Sequence, residues 1–461
     1  MAELIYASAT ALAKAIRHKE VSSQEVIEAC LARIEAVNPR LNAVVQLAAE
    51  TARQQARAAD QALARAEPLG PLHGVPFTIK DSLDTAGIIT TAGTMGRRSF
   101  VPQQDASVVA RLRRAGGILL GKTNTPELTL SVETDNLIYG RTNNPYNPAL
   151  TPGGSSGGAA AIVAAGGSPL DVGSDTGGSI RQPAHFCGVA GLKPTAGRVP
   201  RTGHIISFDA GPLDSLTQIG PLARRVEDLS LILPLIAGPD WRDPAITPAP
   251  LGDPAAVPLK RLRVAFFIDN GIVTPLPEVA EVVRAAVVAV GETGAAMEEA
   301  RPPGLEHTRD TWLELVVADG AAWIRRLLDE AGTTEFHPIL QQRFFDRQPV
   351  SAAEFSRRLS QLDRLRSAML AFMERYDAII CPAGASPALP HGRIADINAG
   401  FTYTRVFNLT GWPAVVVRGG ASAEGLPIGV QIVARPWRED VALAVAQHLE
   451  SMLGGWQPPR L

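Results

Sequence analysis

Thirteen of the chain's 42 glycines fall between residues 151 and 203, so about a quarter of that stretch lacks a Cβ. Such enrichment marks backbone that turns where a side chain would clash, or that comes close to something. Two runs carry most of it, Gly153-Gly154-Ser155-Ser156-Gly157-Gly158 and Gly173-Ser174-Asp175-Thr176-Gly177-Gly178-Ser179. Between them lies AAAIVAAGG (159–167), which reads as a buried helix of small apolar residues. Flexible linkers are not built around a core helix, so these runs are read as part of the packed interior.

Several function classes fall away on composition. The chain has 461 residues, 44 Lys+Arg against 46 Asp+Glu, and a formal net charge of −2. That balance argues against nucleic-acid binding through bulk phosphate attraction. An apolar content of 46% disfavours disorder, and no apolar run approaches the ~20 residues of a membrane span. Cys30, Cys187 and Cys381 are scattered, with no CxxC spacing, and read as free buried thiols. The N-terminal MAELIYASATALAKAIRHKE reads as a helix rather than a secretory signal, so a cytoplasmic protein is expected.

Helical patterns cover residues 8–67, with an S-x-x-E capping box at Ser22 and Glu25, a stop at Pro39, and a second long helix over 44–66. Short β-rich runs stand at 75–80, 118–122, 170–173, 262–268, 377–381, 413–417 and 428–433. Helices alternate with them at 105–114, 159–167, 278–291 and 439–453. This alternation predicts an α/β fold with a mixed, largely buried sheet. The Pro-rich stretch 239–259 reads as a connection between two halves, and 300–370 as a helical layer outside the sheet.

Two short motifs mislead. GGILLGKT (116–123) matches the P-loop pattern by letter, yet its middle residues form a strand core and a helix precedes it. Gly153, Ser155 and Gly157 match the G-x-S-x-G elbow, but RTNNPYNPALTP before them cannot supply the hydrophobic strand an elbow needs. No His/Cys/Asp cluster has metal-ligand spacing.

The long segment TPGGSSGGAAAIVAAGGSPLDVGSDTGGSIRQPAHFCGVAGLKPTAGRVPRTGH closely resembles the signature of the amidase signature family. Ser179 stands 24 residues after Ser155, and Lys80, closing VPFTIK, stands 75 before it. The likeness extends outward through ARIEAVNPRLNA, PLHGVPFTIKD, GKTNTPELTLSVETDN, GPLARRVEDL, FNLTGWPAVVV and GLPIGVQIV, but not through 290–375. It implies a large mixed sheet covered by helices on both faces, formed by residues 1–461 as one domain. The helical segment 1–67 opens that domain, and the variable region 290–375 lies near the substrate pocket.

The same resemblance implies a Ser–Ser–Lys triad. Ser179 would be the nucleophile, Ser155, on a cis peptide, the bridge, and Lys80 the base. The chemistry is coherent: serine is a weak nucleophile until a base takes its proton, and a lysine serves as base once its pKa falls. A hydroxyl between them can accept from one and donate to the other. The N–H groups of Thr176, Gly177, Gly178 and Ser179 would form an oxyanion hole. Ser156 and Asp175 would hold the network, with Arg181 fixing the loop, and Thr129 would border the acyl pocket.

Trp312, Trp323, Phe336, Phe344 and Phe345 read as core, with some free to wall a leaving-group pocket. No lysine or arginine stands out as a receptor for a substrate carboxylate, so an aryl or alkyl amide is the expected substrate, with esters and carbamates such as urethanes reachable by the same chemistry. No cofactor, metal, nucleic acid or membrane is implied, and a homodimer is left open. The alternative is the amidase subunit of a glutamine-dependent tRNA amidotransferase.

Overall fold

The computed structural model describes residues 2–208 and 211–461. Within them one mixed sheet holds β1 (Val44–Leu47), β2 (Pro76–Lys80), β3 (Ile118–Thr123), β4 (Leu170–Asp175), β5 (Ala190–Lys193), β6 (Gln218–Ala223), β7 (Arg263–Phe266), β8 (Ala296–Glu299), β9 (Ala378–Pro382), β10 (Ala414–Ala421) and β11 (Pro427–Ala434). Across the sheet the order is β1-β3-β2-β4-β6-β5-β10-β11-β9-β7-β8. β2 runs parallel to β3 and β4, and β7 parallel to β8 and β9. The pairs between β4 and β9 are antiparallel.

Alternation along each strand splits the core into two faces. Val415 and Val417 of β10 join Ile428, Val430 and Ile432 of β11 on one face, under helices Val226–Ile236, Pro277–Gly291 and Glu439–Leu453. Val416 points the other way, toward helices Ser23–Leu41, Gly157–Ala164 and Arg181–Cys187. The anticipated α/β fold, a mixed sheet covered on both faces, is what forms.

Helix Gly157–Ala164 is buried along its whole length, as its small apolar residues require. A Cβ on Gly158 would stand 2.5 Å from the Asn124 backbone nitrogen, so only glycine permits this approach. The capping box closes as expected: Ser22 Oγ accepts from Glu25 N–H, and the Glu25 carboxylate accepts from Ser22 N–H.

The anticipated helix over 44–66 is shorter than its composition suggests. Val44–Leu47 pairs with β3 as a sheet edge, and the helix runs only from Ala49 to Ala64. Pro39 does not end its helix either: it sits inside Ser23–Leu41, which stops where Asn42 turns left-handed at φ 50°. Beyond the sheet, helices Thr308–Val316 and Ala322–Glu330 bury a separate cluster around Trp312, Trp323, Phe344 and Phe345. The three cysteines are free and buried. Among the described residues no helix is long and apolar enough to cross a membrane.

Candidate active site

Parallel pairing of β2 with β4 places their ends side by side, so Lys80 closes one strand next to Ser174 and Asp175 at the end of the other. The loop that enters helix Gly157–Ala164 supplies Ser155 and Ser156. Ser156 N–H donates to the Ser179 carbonyl at 3.1 Å, which ties the two glycine-rich segments together. The Gly154–Ser155 peptide is cis.

Lys80 is fully buried, and its Nζ sits among hydroxyls: Ser155 Oγ at 2.6 Å, Ser156 Oγ at 3.0 Å and Ser174 Oγ at 3.0 Å. Among the described residues no carboxylate pairs with it. Burial pushes the amine down from 10.5 to about 7, against the opposing pull of Asp175 and Asp171. A neutral amine has one lone pair and two N–H groups to place.

Two of the three hydroxyls have somewhere else to donate. Ser156 Oγ donates to the Ser174 carbonyl at 3.2 Å. Ser174 Oγ lies 3.0 Å from His204 Nε2. His204 Nδ1 meets both the Ile206 carbonyl at 3.0 Å and the Ile206 N–H at 3.1 Å: in the tautomer that donates Nδ1–H to the carbonyl, Nε2 accepts the Ser174 proton, and in the other Nε2–H donates to Ser174 Oγ. In the first tautomer Ser156 and Ser174 accept the two N–H groups of Lys80 and Ser155 donates to the lone pair; in the second Ser174 keeps a proton of its own, and the Ser174 carbonyl at 3.5 Å is a further acceptor for Lys80. Burial, together with the nearby Lys80, lowers His204 to about 3, so its ring is neutral.

Asp175 organises the turn that follows. Burial alone would raise its pKa. The Arg181 guanidinium outweighs that, with help from the Asn408 amide, and holds the carboxyl below the usual carboxylate range. Arg181 is fully buried and uses all five donors, on Asp175 Oδ1 and Oδ2, the Thr404 carbonyl, Gln431 Oε1 and Asn408 Oδ1. It braces the loop, as anticipated.

Asp175 Oδ1 also accepts the Gly178 N–H at 2.7 Å. That donor, expected to face an oxyanion, is turned inward here by the carboxylate. Among the described residues the N–H groups of Thr176, Gly177 and Ser179 meet no acceptor, so three donors remain at the turn. Gly178 has φ 134°, and a Cβ there would strike Thr404 Oγ1 at 2.2 Å, so the position is closed to any side chain. Trp312 Nε1–H holds the turn from outside by donating to the Thr176 carbonyl at 2.9 Å.

A narrow cavity opens on Ser179. Thr129 lines it, together with Thr176, Gly177, Trp312 and Phe344. Trp323 instead faces the core, where its Nε1–H donates to the Val316 carbonyl, and Phe336 packs edge-on against Phe345. The sequence reading missed four residues. Ser174 and His204 touch the lysine network, and Arg343 and Arg405 line the cavity. The last two correct the expectation that no cation is placed toward the substrate. One signal was available: Arg405 is the lone charge in FTYTRVFNLTG, whose helix is buried throughout.

A buried amine whose pKa is lowered to about 7, hydrogen-bonded to a serine beside a turn of unpaired backbone donors, fits an enzyme that hydrolyses amide C–N bonds. The Amidase family profile matches residues 25–443, and the chain belongs to the amidase signature family. It is 36% identical to the acylamidase of Rhodococcus erythropolis over 97% of this chain and 96% of that one. It is also 36% identical to a component of the glutamyl-tRNA(Gln) amidotransferase of Chloroflexus aggregans, covering 96% of each chain. A solved bacterial aryl acylamidase of the amidase signature enzymes superposes with a TM-score of 0.87 at 26% identity, covering 97% of this chain and 96% of that one.

Proposed function

We propose that the protein hydrolyses small amides on its own, through an acyl-enzyme on Ser179. The observation that carries this reading is the Lys80 amine, buried, without an acidic partner, and 2.6 Å from Ser155 Oγ. As Ser179 Oγ bonds to the substrate carbonyl carbon, its proton passes to Ser155 and the Ser155 proton passes to Lys80. The carbonyl oxygen gains negative charge and is received by the N–H groups of Thr176, Gly177 and Ser179. Collapse breaks the C–N bond, and the departing amine takes back the proton through Ser155. Water then enters by the same route and frees the acid. Each free donor at such a turn is worth about 2.7–4 kcal/mol in other enzymes.

Trp312 and Phe344 support an aryl or alkyl amide, since both aromatic side chains line the cavity. Esters and carbamates are accessible to the same acyl-enzyme. The continuous sheet supports reading the whole chain as one domain. The second reading, one member of an amidotransferase complex, is favoured by the equal identity to the Chloroflexus protein.

The experiment is a panel of anilides, aliphatic amides, esters and carbamates on the purified chain. Turnover of anilides without partner proteins is expected. The Ser179→Ala variant should lose both turnover and the acyl adduct seen by mass spectrometry. No turnover of any substrate would favour the amidotransferase reading, and an active Ser179→Ala variant would overturn the nucleophile.

A further inference from the structure

We infer that the substrate carries a carboxylate, which Arg405 and Arg343 receive inside the cavity that opens on Ser179. This rests on the hydrolase reading above and narrows its substrate class. The starting observation is a contrast among arginines. Arg181, Arg198 and Arg201 are buried and each pairs with a carboxylate, of Asp175, Glu439 and Asp243. Arg224 is also buried, and donates to the carbonyls of Val163, Ser168 and Ala7. Arg405 is 3% exposed and has neither arrangement.

The partners of Arg405 are the Asn398 carbonyl at 3.3 Å and Asn398 Oδ1 at 2.5 Å, and its Nε–H meets no acceptor among the described residues. Arg343, half-buried, leans on the same Asn398 Oδ1 at 3.4 Å and on the Leu130 carbonyl at 3.4 Å. Two guanidinium groups thus share one amide oxygen, and no residue lining their cavity is acidic. Burial lowers Arg405 to about 9 and Arg343 to about 10, and Arg343 adds repulsion at Arg405. Uncompensated charge in such a place costs free energy that an incoming anion would relieve.

Position and shape fit a planar anion near the reacting carbonyl. The Arg405 stem packs on the oxyanion turn, with its Cγ 3.5 Å from where a Cβ on Gly177 would stand. Its guanidinium lies over the Trp312 ring at 4.7 Å and near the Phe401 ring at 5.6 Å. Aromatic rings cover the guanidinium, and the N–H donors that Asn398 does not take are left for a ligand such as a carboxylate. A carbonyl seated at Ser179 therefore has a charged receptor within the same narrow cavity.

The test compares butyranilide, which is neutral, with succinanilate, charged on the acyl side, and 4-acetamidobenzoate, charged on the amine side. At least one charged substrate should exceed butyranilide in kcat/KM by about tenfold or more, as hydrogen bonds to charged groups allow. Which one does so tells which side of the bond faces the arginines. Arg405→Met should reduce that substrate at least about tenfold more than it reduces butyranilide. Succinate alone should inhibit the native enzyme competitively and raise its Tm, and lose both effects in the variant. If Arg405→Met does not fold, Arg343→Met carries the same expectations.

Butyranilide matching or exceeding both charged substrates, with no effect of succinate on rate or Tm, would overturn the inference. If the chain turns over no substrate at all, the hydrolase reading fails separately, and the Tm shift with succinate still reads the anion site.

Discussion

The neutrality of Lys80 can be measured in two independent ways. Its amine titrates at about 7 instead of 10.5 because it is buried. At 1.36 kcal/mol per unit, that displacement is ~5 kcal/mol. The base must be neutral to accept a proton, so kcat/KM should rise with pH and level off above about 7. At pH 5 roughly 1% of the amine is neutral, and the rate should stand roughly 100-fold below the plateau.

Stability should follow the same proton. Between about 7 and 10.5 the unfolded chain holds a proton on Lys80 that the folded chain does not. Stability therefore rises with pH there by ~1.4 kcal/mol per unit from this group. Lys80→Met abolishes that increment along with activity. The variant should gain on the native protein most at pH 7 and below, by ~5 kcal/mol less the ~1–3 kcal/mol for a Ser155 hydroxyl left without its acceptor. Ser156 keeps its acceptor on the Ser174 carbonyl, and Ser174 keeps its hydrogen bond with His204. The gain should shrink toward pH 10. Scanning calorimetry of both proteins from pH 6 to 10 reads this directly, and Lys122 and Lys193, which titrate in both, cancel in the difference. A flat difference in Tm across that range, or a kcat/KM limb near 10, would show that Lys80 is charged in the fold.

Other consequences can be checked alongside. Arg181→Met leaves the fully buried Asp175 carboxylate without its ion partner and should destabilise the protein by ~3–5 kcal/mol in denaturant titration. A loss under about 1 kcal/mol would mean that the pair does not brace the loop. His204→Phe frees the Ser174 hydroxyl to turn onto Lys80, so kcat should fall roughly fivefold to tenfold, the value of one hydrogen bond, with KM unmoved. His204→Gln, which keeps a side-chain acceptor, should recover much of that loss. Equal kcat for His204→Phe and the native enzyme would remove His204 from the network.

Lys80, Ser155 and Ser179 could be singled out in the sequence because the three segments that carry them, each rich in glycine or ending a strand, resemble the amidase signature. His204 and Arg343 could not, since each owes its place to a contact across the fold; Ser174 lies in the second glycine-rich run but its part depends on His204, and Arg405 carried only the signal of a lone charge in its helix. The missed strands have local causes. Val44–Leu47 is a four-residue edge abutting an Ala-rich helix, whose composition masks it. β6, QIGPLA, contains a proline, a residue that argues against a central strand. It is tolerated because β5 pairs with β6 only at Leu222 and Ala223, which leaves Pro221 unopposed on that side. The inward turn of Gly178 N–H was also beyond reach, since it depends on how Asp175 is held by Arg181 and Asn408.

The bracing of Arg181 also sets a timetable. Its acceptor on Gln431 lies 250 residues further along the chain, and Asn408 lies 227 further. At synthesis rates of ~5–20 residues per second, roughly 12–50 s separate the emergence of the Ser179 loop from that of the strand that secures it. Through that interval the serines are made but Asp175 and Arg181 lack their remaining partners. A nascent chain therefore carries its reactive groups in an unassembled state until almost its last strand has left the ribosome.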